Sequence, residues 1–85
     1  MASYRIEVRL SAVKEFEAIP KKDLARVTAR IQTLTDNPRP PGCEKLSGQQ
    51  RYRLRQADYR ILYEVDDSRQ SVTVVKVGHR HEVYR

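Results

Sequence analysis

The chain is short of most of what specialised chemistry is built from. Cys43 is its one cysteine, which excludes an internal disulfide and any cysteine-based metal site and fits a reducing cytosol. No apolar run approaches the roughly 18 residues that a membrane span needs. Met1 to Arg5 leads straight into an alternating pattern instead of the apolar core of a signal peptide. A cytoplasmic protein with no membrane partner is therefore expected. With three Gly, four Pro, no low-complexity tract and no internal repeat, residues 1–85 should form one ordered domain. A glycine-rich phosphate loop is missing, and so is a Cys/His pair around a nucleophile turn. Asp and Glu are scattered singly, which speaks against a two-metal carboxylate nuclease. His79-Arg80-His81 has no third ligand at a telling spacing, and a chain of net charge +6 is a poor host for a dication. Neither a metal nor a cofactor is expected.

What the chain does have is positive charge, unevenly placed. Hydrophobic residues at 39% suffice for one small core, and charged residues at 33% leave a heavily solvated surface. A +6 balance suits phosphate backbones or an acidic protein partner and does not choose between them. Residues 51 to 60 alone carry four Arg against one Asp. Within them Arg51-Tyr52-Arg53-Leu54-Arg55 reads as a strand of period two. Tyr52 and Leu54 point one way; Arg51, Arg53 and Arg55 point the other. Guanidinium groups crowded on one side of a strand repel each other, and an anionic partner relieves that. Nucleic acid is the first candidate.

The remaining pattern predicts an α+β fold in two layers: an antiparallel sheet packed against an N-terminal helical hairpin, in the order β-α-α-β-β-β. Tyr4, Ile6, Val8 and Leu10 alternate with charged residues as a half-buried strand. Ser11 is a plausible N-cap for a short helix to about Ile19, with Val13 and Phe16 on its apolar stripe beside Ala12 and Ile19. Pro20 breaks that helix and suits the start of the next. Leu24, Val27, Ile31 and Leu34 make the clearest helical stripe, leaving Arg26, Arg30 and Gln32 largely outside it, and Asn37-Pro38 ends it. Tyr59, Ile61, Tyr63 and Val65 share one strand face, with Arg60, Leu62 and Glu64 on the other. Asp66 to Gln70 is a hairpin loop. Val72 to Val77, interrupted only by Lys76, is apolar on both sides and belongs inside the sheet. Both helices must then cover one sheet face and leave the other polar. A helix-turn-helix reading fails, because the Leu24/Val27/Ile31/Leu34 face is needed by the sheet.

Arg53, Arg55, Arg60, Lys76 and Arg80 are expected to converge on that polar face, although some arginines have ordinary surface partners within reach in Asp58, Glu64 or Glu82. Cleaving RNA through its own 2′-hydroxyl requires removal of that proton, stabilisation of a crowded phosphorane dianion and protonation of the leaving 5′-oxygen. Arginine forks match phosphate oxygens. The proton transfers fall to His79, His81 or Tyr84: histidine titrates near neutrality, and a cationic setting lowers a tyrosine. The alternative is that the histidines are solvated polar side chains on the surface and that Tyr84 is an aromatic plug on the sheet edge.

Several segments together resemble the RelE family of bacterial toxins, within the RelE/ParE superfamily. They are Ala12-Val-Lys-Glu-Phe16, Leu46-Ser-Gly48, Tyr52-Arg-Leu-Arg55, Asp58-Tyr-Arg-Ile-Leu-Tyr-Glu-Val65 and Val77-Gly-His-Arg-His-Glu-Val-Tyr-Arg85. The likeness covers nearly the whole chain and is strongest from Lys45 to Arg85. It implies a compact α+β toxin of a type II toxin–antitoxin system, held inactive by a co-expressed antitoxin. It further implies an endoribonuclease that enters the ribosome and cleaves messenger RNA. Arg60, Arg80 and Tyr84 match the family's catalytic positions, with His79 and His81 as reserves for proton transfer. Lys45, Arg51, Arg53, Arg55 and Lys76 would bind RNA. Operator DNA would be met indirectly, through the antitoxin. Two departures stand out. The strand lysines of the best-studied pattern are Arg53 and Arg55 here, and an arginine cannot act as a base. The sequence also stops one residue after Tyr84, without a closing helix. The alternatives are a ParE-like toxin that binds and inhibits DNA gyrase, or an inactive scaffold that binds only antitoxin and operator.

Overall fold

The computed structural model describes residues 3–46 and 50–79. Its elements are β1 (Arg5–Val8), α1 (Leu10–Glu17), α2 (Lys21–Gln32), a 3-10 turn over Thr33–Thr35, β2 (Glu44–Lys45), β3 (Arg51–Gln56), β4 (Tyr59–Asp66) and β5 (Ser71–His79). They form an α+β fold with one sheet ordered β1-β5-β4-β3-β2. The last three strands are antiparallel hairpin neighbours, and β5 lies inside the sheet as its two-sided apolar pattern requires. β1, however, pairs parallel with β5, Ile6 facing Val72. The sheet is therefore mixed, because the helical pair returns the chain to the sheet's far edge and β1 can reach only the free side of β5.

The core is the set of alternate residues that the strand patterns point at the helices. Tyr52 and Leu54 of β3, Ile61, Tyr63 and Val65 of β4, and Val72, Val74 and Val77 of β5 bury against Ala12, Ile19, Val27, Ile31 and Leu34. Tyr52 and Tyr63 stack at 5.7 Å between ring centroids. The Tyr63 hydroxyl donates to the carbonyl of Pro38 at 2.7 Å, and burial pushes that phenol well above its usual range. Among the described residues no buried side-chain polar atom lacks a partner.

Three local expectations change. Arg9, not Ser11, precedes α1, with an extended backbone and no side-chain cap. Leu10 starts α1 and is 76% exposed instead of continuing β1, and Val13 is also exposed, so the core side of α1 is the buried Ala12 and the half-buried Phe16, with Ile19 buried just beyond the helix. β5 is rephased by a bulge: Leu62 faces Lys76 but Tyr63 faces Val74, which leaves Val75 as the extra residue. Strict alternation would have put Lys76 on the buried side with Val72 and Val74. The bulge turns it out and brings Val77 in. Gly78 accordingly does not end the strand, which runs on to His79.

Where β1 stops, α1 takes over the outer edge of β5. Glu15 accepts the Val77 backbone N–H at 2.9 Å and the Lys76 ammonium at 3.2 Å. A carboxylate thus replaces the missing strand at an otherwise bare edge.

Candidate anion-binding face

The strand register decides which cations meet. In an antiparallel pair, directly opposed residues project to the same side. Arg55 faces Arg60, Arg53 faces Leu62 and Arg51 faces Glu64, all on the side away from Tyr52, Leu54 and Ile61. β3 and β4 are joined by Ala57-Asp58, with Ala57 held at φ 54°, a left-handed conformation that costs an alanine something and closes the turn in two residues. That tight turn sets Arg55 against Arg60, a like-charge pair that is destabilising by itself.

Arg53, Arg55 and Arg60 share a cleft of about 300 Å³ with Arg30, Gly42 and Glu44. Arg60 is 5% exposed. β2 pairs only Glu44 with Arg53 and Lys45 with Tyr52, so β3 has no further neighbour beyond Arg53 on that edge. Arg30 of α2 and the turn at Gly42 border the gap. Gly42 sits at φ 93°, which favours glycine, and a side chain there would meet nothing but would strain the backbone. Glu44 Oε1 accepts from Arg53 Nε at 3.0 Å and from Nη2 at 2.8 Å. The Arg53 guanidinium holds the Glu44 carboxyl below its usual range, with Arg55 and Arg60 adding to the effect. Arg55 forms no ion pair among the described residues.

The other expected contributors go elsewhere. Arg51 pairs through Nε and Nη2 with Glu64, which also takes Arg9. Lys76 is engaged by Glu15. Lys45 lies opposite Tyr52, hence on the other side of the sheet from Arg53, and does not join the cluster. His79 lies opposite Tyr59, also on the helix side, its ring edge-on to Tyr59 at 6.0 Å. It lines a separate cleft of about 400 Å³ with Glu15, Ile19 and Tyr59. Arg80, His81 and Tyr84 lie outside the described residues. The alternation of β3 therefore located two of the cluster's cations, Arg53 and Arg55, and β4 supplied Arg60. It missed Arg30, which the helical stripe only excluded from the core, and Glu44, whose role needs the β2 pairing that a two-residue strand does not advertise.

Among the described residues no three His, Cys, Asp or Glu gather as a metal site, and no helix is long and apolar enough to cross a membrane. A further cleft, about 500 Å³, lies toward the β4–β5 hairpin and is lined by Glu7, Glu64, Asp66, Asp67 and Arg69 among others. The sheet face away from the helices thus runs from acidic at the hairpin to basic at the Ala57 turn.

Comparison with known proteins agrees on one superfamily. The family described as ParE toxin of type II toxin–antitoxin system, parDE, matches residues 6–84. A RelE-like toxin protein of Escherichia coli is 30% identical over 80 residues, covering 91% of this chain and 83% of its own. The archaeal RelE–RelB complex of Pyrococcus horikoshii contains a chain that superposes with a TM-score of 0.83 at 27% identity, over 92% of this chain and 96% of that one. The toxin–antitoxin complex RelBE2 of Mycobacterium tuberculosis gives a TM-score of 0.81 at 25% identity, over 92% and 99%.

Proposed function

This chain belongs to the ParE toxin family of type II toxin–antitoxin systems, within the RelE/ParE superfamily, and from that premise we propose that it cleaves messenger RNA on the ribosome without a metal. The observation that carries this reading is the cleft lined, among the described residues, by Arg30, Arg53, Arg55 and Arg60 with the carboxylate of Glu44. A guanidinium cluster of that density matches a phosphodiester in charge and in donor geometry.

In the proposed reaction the RNA 2′-oxygen attacks the adjacent phosphorus and loses its proton to a base. The phosphorane carries the added charge on its non-bridging oxygens, and the 5′-oxygen leaves with a proton from an acid. The bond formed is 2′-O–P and the bond broken is P–O5′, giving a 2′,3′-cyclic phosphate, or the 3′-phosphate after its hydrolysis, and a 5′-hydroxyl. Arg60 and Arg80 are assigned as phosphate clamps, and Arg53 and Arg55 as backbone holders. His79 projects to the helix side, away from the arginine cleft. Proton transfer is therefore assigned to Tyr84 or His81. Lys45, Arg51 and Lys76 are left as peripheral RNA contacts, the last two tempered by their carboxylate partners.

The partner proposed is a cognate antitoxin with an acidic or amphipathic segment, through which the pair meets operator DNA. Solved relatives are complexes with RelB antitoxins. A second reading, gyrase inhibition by a ParE-like toxin, is favoured by the name of the matching family and by the neutralised state of Arg51 and Lys76. Mapping of messenger RNA ends in a translating extract, with and without ribosomes, runs beside a gyrase supercoiling assay. Cleavage only when ribosomes are present, lost in Arg80→Ala, is expected. Intact messenger RNA with blocked supercoiling would reverse the choice.

A further inference from the structure

Glu44 occupies the arginine cleft as a ligand would. One of its oxygens accepts from both Nε and Nη2 of Arg53, at 3.0 and 2.8 Å, which is the side-on grip a guanidinium offers to a phosphate oxygen. The same carboxylate lies in the field of Arg55 and Arg60, while Arg30 approaches the cleft from the last turn of α2. The Glu44 side chain is 59% exposed, so water reaches it and little holds it against a competing anion. Its backbone pairs with β3 through the two-residue strand β2.

We propose that this cleft is a phosphate site with four arms, Arg30, Arg53, Arg55 and Arg60, in which Glu44 stands in for the phosphate and is displaced when a phosphodiester enters. The proposal rests on the nucleic-acid reading of this face, and adds an arm from α2 and a built-in competitor. Exchange of one carboxylate for one phosphodiester leaves the local charge unchanged. The gain comes from placement: Glu44 is tethered to β2 and meets Arg53 through one oxygen, whereas an untethered phosphate can turn its oxygens toward several arms at once. In the absence of substrate, Glu44 also relieves the repulsion between the arginines opposed across β3 and β4.

The test is a titration of the purified protein with inorganic phosphate at constant ionic strength, read from the arginine Nε–H NMR signals. Glu44→Gln should bind about fivefold more tightly than wild type, with Nε shifts at Arg30, Arg53, Arg55 and Arg60. Glu17→Gln, which makes the same change in net charge on the exposed end of α1, should stay within about twofold. Arg30→Gln should weaken binding without altering the backbone amide spectrum of the sheet. Equal affinities for Glu44→Gln and Glu17→Gln would overturn the role of Glu44. Unaffected binding by Arg30→Gln, or shifts confined to other arginines, would overturn the site. No ribosome or RNA is involved, so a phosphate response in a protein that leaves messenger RNA intact keeps the site and removes the nuclease reading. Cleavage without any phosphate response does the reverse.

Discussion

At the hairpin end of β3 and β4 carboxylates grip the arginines, whereas at the Ala57 end four arginines and one carboxylate line the cleft among the described residues. Arg51 is held by Glu64, and Arg39 grips Asp67 with a full fork, Nη1–Oδ1 at 3.2 Å and Nη2–Oδ2 at 2.8 Å. Arg39 also donates to the Tyr52 hydroxyl at 2.7 Å and lies over its ring at 5.2 Å, while Tyr4 donates to Asp67 at 2.7 Å. That network ties β1, the proline-rich loop, β3 and the β4–β5 hairpin together. The same residue type thus serves as a brace where carboxylates grip it. Where arginines dominate the lining of a cleft, they raise its positive potential. The difference between the ends is one of local composition, set by which residues the strand register opposes.

That contrast can be broken in graded ways. Leu54→Ala, beneath the arginine end of β3 and 1% exposed, should cost about 3 kcal/mol in urea unfolding. A loss below 1 kcal/mol would mean that the cationic end is not supported by the shared core. Arg60→Ala should lower messenger RNA cleavage about a hundredfold, with circular dichroism checking that the fold survives loss of a buried side chain; undiminished cleavage would remove the functional meaning of the cluster. Acid should loosen the braced end. The hydrogen bonds from Arg39, and after them the one from Tyr4, hold the Asp67 carboxyl below its usual range. Its contribution to stability is therefore complete above the ordinary carboxylate pKa and is lost as pH falls through the depressed folded value. The melting temperature of the wild type should fall more steeply below about pH 4 than that of Asp67→Asn, and parallel curves would show that the network carries no pH-linked stability. Smallest of all, Arg51→Gln should change cleavage by less than about twofold, since Glu64 already neutralises it. A drop comparable to that of Arg60→Ala would erase the distinction between the two ends.

Strand faces were readable because period two ties each side chain to a side. Tyr52 and Leu54 inward, Arg53 and Arg55 outward, and the inward set of β4 all follow from it. The α2 stripe was readable for the same kind of reason, at helical period. Leu10 misled, because its apolar character continues the alternation of β1 while the chain has already turned into α1. Lys76 was expected on the polar face and lies opposite Leu62 on that side, but the bulge at Val75 that carries it there was invisible, because it depends on the register that β4 imposes.

Local order in the residues is enough to specify two helices, apolar strands and an arginine-rich polar face, since each depends on periodicities a few residues long. The side of β5 on which β1 lies, the exile of Lys45 and His79 from the cluster, and the meeting of Arg30 and Glu44 with Arg53, Arg55 and Arg60 depend on residues far apart in sequence, as Ile6 and Val72 are. No local period encodes such separations. They are chosen when burial of one sheet face sets the register, and the charges on the other face are then carried to wherever that register leaves them.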